Sequence, residues 1–201
     1  MTTAAIPIDY RKRKRLWINA SLWLASNERP TVASSIQNLG YAERILLELE
    51  AEIANLASDH SMKRRRDWRL VEYSAHSELW ILGLYEVLRT LKQTGTPRFD
   101  PLGPLFHKLE LLRMPIAKHE MPDARHEGKR VKGQGTVVHY PTHFWNPETG
   151  HSGWSVFDRA TGDSLLLFRT PLADEFLALA AIEPEFPPPF PIGGPLGIDE
   201  G

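Results

Sequence analysis

The chain has 201 residues, of which 42% are apolar and 24% are charged, and its formal net charge is −1. This length and composition fit one globular domain with a sizeable core, and the near-zero charge excludes a whole-molecule field that would draw the protein to nucleic acid or an anionic membrane. The absence of cysteine excludes disulfides, thiolate nucleophiles and cysteine-ligated metals, and it suits a reducing cytosol.

The N-terminal part imitates a signal peptide without completing one. The basic run Arg11–Arg15 precedes LWINASLWLA, but Asn19 and Ser21 interrupt the apolar stretch and no small-residue cleavage site follows. No apolar run approaches the roughly 20 residues of a membrane span, so we expect a cytoplasmic protein with no membrane association. Two further basic runs, 63–66 and 129–132, could form local patches, although solvated helix starts and loops are the commoner outcome.

Residues 1–33 form a lead-in whose structure the pattern leaves open. Between Arg15 and Ala25 apolar residues alternate with others, which is typical of a strand. Trp17, Ala20 and Leu24 also share one face of a helix. The alternation favours a strand, with a helix as the alternative.

Residues 34–122 have the pattern of an antiparallel helical bundle. An N-cap at Ser34 or Ser35 opens a helix of about six turns, with Glu43, Glu48 and Glu50 mostly off its seam. That seam comprises Ile36, Leu39, Ala42, Leu46, Leu49, Ile53 and Leu56.

The next two helices complete the bundle. One is predicted from about Met62 to Gln93, and its basic first turns oppose the helix macrodipole, which hints at an irregular start or a bound anion. The other helix should kink or restart at Pro115. Their seams comprise Trp68, Val71, Ala75, Leu79, Leu82, Leu88 and Leu91 in the first, and Leu105, Leu109, Leu112 and Ile116 in the second. Seams of this length bury their faces only against one another.

Residues 123–182 form a small β-rich segment followed by a short helix. Segments rich in apolar residues flank Asp158–Asp163 and predict a hairpin, to which the Arg15–Ala25 stretch could add a strand. Thr170 then caps a helix that runs to about Ile182. Residues 183–201 are rich in proline and glycine and predict a disordered tail, which could bind an adaptor groove but more often has no partner. The predicted class is therefore α+β, mainly α.

Arg113 and His119 are the best candidate catalytic residues. This Arg-x5-His motif, late in the predicted bundle, resembles that of the HEPN superfamily of helical-bundle ribonucleases and toxins. The resemblance covers roughly residues 34–122. The resemblance implies metal-independent RNA cleavage, often in a homodimer, with His119 as general acid or base and Arg113 stabilising charge on the phosphate. Met114 and Pro115 depart from the family pattern. On an ideal helix the two side chains stand about 120° apart, so they converge only through a distortion at Pro115 or across a dimer. The alternative is an ordinary surface arginine and a helix-end histidine.

Histidines in the β-rich segment could form an open zinc-type site. His139, His143 and His151 are the candidates, with Glu148 nearby. Pro141 interrupts the strand between the first two, so scattered loop histidines are the favoured interpretation.

A second grouping lies within the bundle. Glu72 and His76 are at helical spacing, and His107 and Glu110 are on the next helix, but the Glu-x-x-His pair of bundle metal sites is absent. The sequence also lacks phosphate-binding, dinucleotide-binding and serine-hydrolase motifs. We therefore expect no cofactor and no metal.

Two functional hypotheses follow. The first, implied by the resemblance, is a HEPN-like RNA-directed protein, a metal-independent endoribonuclease of the toxin or defence type that would act through Arg113 and His119. The alternative is a non-catalytic bundle whose broad apolar face mediates homodimerisation or binds a protein partner.

Overall fold

A computed structural model describes residues 9–25, 29–58, 68–118, 142–146, 149–158 and 160–180. In these residues five α-helices and a three-stranded antiparallel sheet confirm the α+β, mainly helical class. The helices are α1 Tyr10–Ala25, α2 Pro30–Ser58, α3 Trp68–Gln93, α4 Gly103–Lys118 and α5 Arg169–Ala180, with a 3-10 turn at Pro97–Leu102. The strands are β1 Thr142–Trp145, β2 Ser152–Asp158 and β3 Asp163–Phe168. None of the helices in the described ranges is long and apolar enough to cross a membrane.

The strand predicted at residues 15–25 is wrong, because this whole stretch lies within helix α1. Trp17, Ala20 and Leu24 are buried at helical spacing, whereas Leu22 is exposed. The Trp17 ring stacks on Phe176 of α5 at 5.2 Å and meets Trp80 of α3 edge-on at 6.1 Å. Packing against two other helices therefore selects the helical face over the alternation.

Helix α2 begins at Pro30, earlier than the predicted cap, because proline suits the first helical turn. Most of its predicted seam is buried, but Glu43 and Glu50 are buried too, which corrects the expectation that these acids fall outside the seam. Gly40 lets α1 approach: a Cβ there would lie 2.5 Å from Cγ of Trp17.

The first half of the predicted α3 seam is wrong. Its members Trp68, Val71, Ala75 and Leu79 are exposed, whereas Leu88 and Leu91 from the second half of the seam are buried as predicted. The buried residues of α3 are Tyr73, Ser77, Trp80, Ile81, Leu84, Tyr85, Val87, Leu88 and Leu91. Residues 62–67, where the helix was expected to begin, lie outside the described part.

Helix α4 buries Leu105, Leu109 and Leu112 as predicted and continues without a break past position 115 to Lys118. The predicted hairpin is confirmed in strands β2 and β3, and Gly162 closes its turn with φ 80°.

Strand β1, not the 15–25 stretch, supplies the third strand: Trp154 on β2 pairs with His143 on one side and with Leu167 on the other. Residues 123–141 and the proline-rich tail 183–201 lie outside the described ranges.

Candidate functional site

Arg113 lies half-buried on α4. Its guanidinium carbon is 4.9 Å from the centroid of the Tyr85 ring, a cation–π contact that joins α4 to α3. His119 lies outside the described residues. The proposed meeting of Arg113 with His119 therefore stays a prediction.

Two of the three candidate zinc ligands, His143 and His151, lie in the described part of the chain, and they contact different partners. His143 Nε2 is 2.5 Å from the Ser152 hydroxyl and its Nδ1 is 3.4 Å from that of Ser74, and burial lowers the pKa of the imidazole. His151 instead faces the Glu50 carboxylate at 3.8 Å. His139 and Glu148 lie outside the described residues, and the residues described contain no group of three or more ligands that could hold a metal ion.

The second group of candidate ligands, on α3 and α4, does not form a shared site. Glu72 and His76 contact each other at 3.8 Å along α3. His107 contacts Asp158 of β2 at 2.7 Å and so joins α4 to the sheet.

A buried carboxylate, Glu43, joins α1 to α2. It accepts two hydrogen bonds from Arg13 at 2.6 and 2.8 Å and one from the Trp17 indole at 2.6 Å. Arg13 also reaches Asp174 of α5 at 2.6 Å. Three helices are thereby fixed at one point by charge-assisted hydrogen bonds.

Glu50, two turns further along α2, is the second buried carboxylate. It accepts hydrogen bonds from the hydroxyls of Tyr73 and Thr170, and it lies 2.5 Å from Nη2 of Arg169. The Tyr73 hydroxyl in turn accepts the backbone N–H of Ser152 at 2.7 Å. This cluster connects α2, α3, β2 and α5.

Arg169 joins the two carboxylates. It is fully buried, and its Nη1 lies 3.6 Å from Glu43. Burial opposes its charge, but Glu50, Tyr73 and Glu43 together raise the pKa of the guanidinium. Burial and Glu50 likewise raise the pKa of Tyr73, so the tyrosine remains a hydroxyl donor. We call Glu43, Glu50, Tyr73 and Arg169 the buried charge network. Its members are closed off from solvent and paired with one another, which fits a structural role rather than a catalytic one.

One outer face of α3 exposes large apolar side chains. The side chains of Trp68, Val71 and Leu79 are 68%, 70% and 64% exposed, and with Ala75 they follow one outer face of α3 at helical steps. We call these four residues the α3 stripe. They form a ridge of apolar surface that the rest of the described chain leaves open.

A groove runs beside the α3 stripe, between α2 and α3. It has a volume of about 830 Å³. Leu39 and Leu46 lie in its floor, and Ile45 of α2 and Leu79 of α3 line its sides. Trp80 donates its indole N–H to the Leu39 carbonyl at 3.0 Å and so fixes the two helices beneath the groove. We call this feature the α2–α3 groove.

No family model, curated protein or solved structure matches this chain. Function must therefore be argued from the geometry itself. Among the described residues, sequence reasoning missed the buried charge network and the open α3 stripe. A signal for the first was present, because Glu43 and Glu50 continue a seven-residue repeat with Ile36.

Proposed function

We propose that this chain is a self-associating helical module in which a second copy covers the α3 stripe and the α2–α3 groove. The observation that carries the proposal is the exposure of Trp68, Val71 and Leu79 along a single helix face. With Ile45 these side chains make an apolar patch on the order of 400 Å², which lies within the range of about 300–600 Å² for the largest patch on a typical soluble monomer, a patch that is often functional. Covering such a patch is favourable by the ordinary hydrophobic effect.

The shape of this surface favours a second copy as the occupant. A two-fold contact requires a surface that is complementary to itself. A ridge beside a groove meets that requirement, because rotation about a two-fold axis can place the α3 stripe of each copy in the α2–α3 groove of the other. Ala75, the smallest residue of the stripe, leaves room for the two helices to approach closely at its centre.

The charges around the patch agree with this occupant. The rim contains acids and bases in neighbouring pairs: Arg69 with Glu52, and Arg89 with Glu86. A rim of one sign would repel a second copy of itself, whereas a mixed rim can place bases of one copy opposite acids of the other. A strongly basic or acidic partner would find no complementary field here.

The test compares Leu79→Glu with Leu166→Glu. The two leucines are 64% and 63% exposed, but Leu166 lies on β3, away from the groove, and so provides a matched control. Burying the exposed two thirds of the Leu79 side chain should contribute roughly 1–2 kcal/mol to the free energy of association, and a two-fold contact buries this side chain once in each copy. Leu79→Glu should therefore raise the dimer dissociation constant by roughly 30- to 1000-fold.

Sedimentation equilibrium over a concentration series measures this constant. Wild type and Leu166→Glu should form dimers with similar affinity, and Leu79→Glu should be monomeric. A wild-type chain that stays monomeric throughout the series would refute self-association. Equal dimerisation of the two variants would show that the contact lies elsewhere.

A further inference from the structure

A second surface pocket lies between α1 and α2, on the side of α2 opposite the groove. The two helices touch where Gly40 meets Trp17, and beyond this contact they leave a pocket of about 300 Å³. That volume is at the lower end for small-molecule sites. We call it the α1–α2 pocket, and it shares no lining residue with the α2–α3 groove.

The pocket wall is basic although the chain as a whole is not. Arg11 and Lys14 of α1 and Arg44 of α2 line it, and the charge of Arg13 at its base is matched by Glu43. Arg44 contacts Glu48 at 3.6 Å in an exposed pair, which contributes little and exchanges readily. The local excess of positive charge contrasts with the net charge of −1. The wall therefore favours an anion.

The backbone at the start of α1 is not the anion site. Asp9 already accepts the N–H groups of Arg11 and Lys12 at 3.0 and 3.1 Å and caps the helix. The attraction for an anion therefore comes from the side chains that line the pocket.

Two aromatic rings stand beside these cations. Tyr10 and Tyr41 both line the pocket and are exposed at its rim. The Lys14 ammonium lies 5.3 Å from the centroid of the Tyr41 ring, so a cation and a flat aromatic surface are held together. Cations combined with an exposed ring suit a ligand that has both an anionic group and a planar base.

We propose that the α1–α2 pocket binds a nucleotide, with its phosphate between Lys14 and Arg44 and its base against Tyr41. The nucleotide is either free or one unit of a single-stranded RNA. The proposal goes beyond self-association, because it uses another face of α2. It is also independent of Arg113 and His119.

The experiment uses the full-length chain, a short fluorescein-labelled oligouridylate and unlabelled adenosine monophosphate. Lys14→Gln and Arg44→Gln should each weaken binding of the RNA and lower the slope of log affinity against log salt by about 0.7. Lys12→Gln is the matched control, because Lys12 is an exposed cation of the same helix that does not line the pocket. It should leave both quantities unchanged.

The aromatic half of the proposal has its own pair of variants. Tyr41→Ala should weaken binding by roughly 5- to 150-fold, the value of one base stacked on one aromatic ring. Tyr41→Phe keeps the ring and should bind like wild type. Urea midpoints of all variants check that each one folds.

The remaining outcomes are decisive. Equal affinity for adenosine monophosphate and RNA identifies a free nucleotide as the ligand, and much tighter RNA binding identifies a strand; both support the pocket. Equal losses in Lys12→Gln and Lys14→Gln would reduce the site to a diffuse basic patch and overturn the proposal. Inorganic phosphate and phosphatidylserine vesicles serve as two further probes. The proposal is also overturned if phosphate displaces the labelled RNA as well as adenosine monophosphate does, if the protein binds the vesicles but neither nucleotide probe, or if it binds none of the probes.

Discussion

Replacing Arg169 by methionine tests whether the buried charge network holds the fold together. Methionine keeps much of the apolar stem but removes the guanidinium that lies 2.5 Å from Glu50 and 3.6 Å from Glu43. Glu43 retains Arg13 as a partner, whereas within the described ranges Glu50 retains hydroxyl donors and the more distant His151. The loss should therefore fall mainly on Glu50.

The magnitude follows from leaving a buried carboxylate without its cation. Breaking one partner of such a pair typically costs about 3–5 kcal/mol. Domains of this kind are stable by about 5–15 kcal/mol, so Arg169→Met should lower the free energy of unfolding by a large fraction. Arg89→Met is the control, because Arg89 pairs with Glu86 on the exposed surface of α3. That change should cost less than about 1 kcal/mol.

A double variant separates lost charge pairing from lost packing. Glu50→Gln removes the charge that Arg169→Met leaves unpaired, so the double variant should recover roughly 1–3 kcal/mol of the loss. Urea unfolding followed by circular dichroism gives the free energies of all four proteins. A cost of less than about 1 kcal/mol for Arg169→Met would contradict this expectation. So would a double variant in which the separate losses of Arg169→Met and Glu50→Gln simply add.

Two further predictions concern the sheet and the predicted catalytic pair. His107, and after it the backbone N–H of Ala160, hold the pKa of Asp158 in the folded chain below its ordinary 3.8, so the unfolded chain binds the proton more readily. The contribution of this carboxylate to stability is therefore present above pH 3.8 and is lost as the pH falls through the lower pKa of the folded state. The urea midpoints of wild type and Asp158→Asn should converge as the pH falls below 3.8, and a gap that is constant with pH would contradict this. If Arg113 and His119 cleave RNA without metal, wild type should degrade labelled RNA in the presence of chelator and His119→Ala should not; equal rates would remove the catalytic hypothesis.

The elements that could be predicted from the sequence are those whose residue pattern is compatible with only one type of secondary structure. The β2–β3 hairpin was such a case, because Gly162 and the flanking apolar runs agree. The pattern of residues 15–25 was compatible with both a strand and a helix, and the contacts of Trp17 with α3 and α5 select the helix. Glu43 and Glu50 were misplaced because acids are rarely buried without partners, and the partners are distant in sequence: Arg169 is more than a hundred residues away from each.

The open α3 stripe follows from the same network. Helical periodicity shows that Trp68 and Leu79 share a face, but it does not show which face of α3 turns inward. Tyr73 decides this, because its hydroxyl must reach both Glu50 and the backbone of Ser152. Trp80 adds a second constraint through its bond to the Leu39 carbonyl. Three hydrogen bonds, made by the side chains of Tyr73 and Trp80, thus orient α3 with its apolar stripe outside. The hydrogen bonds that orient α3 therefore also determine the surface that the proposed second copy would cover, so a change that loosens them should weaken self-association together with stability.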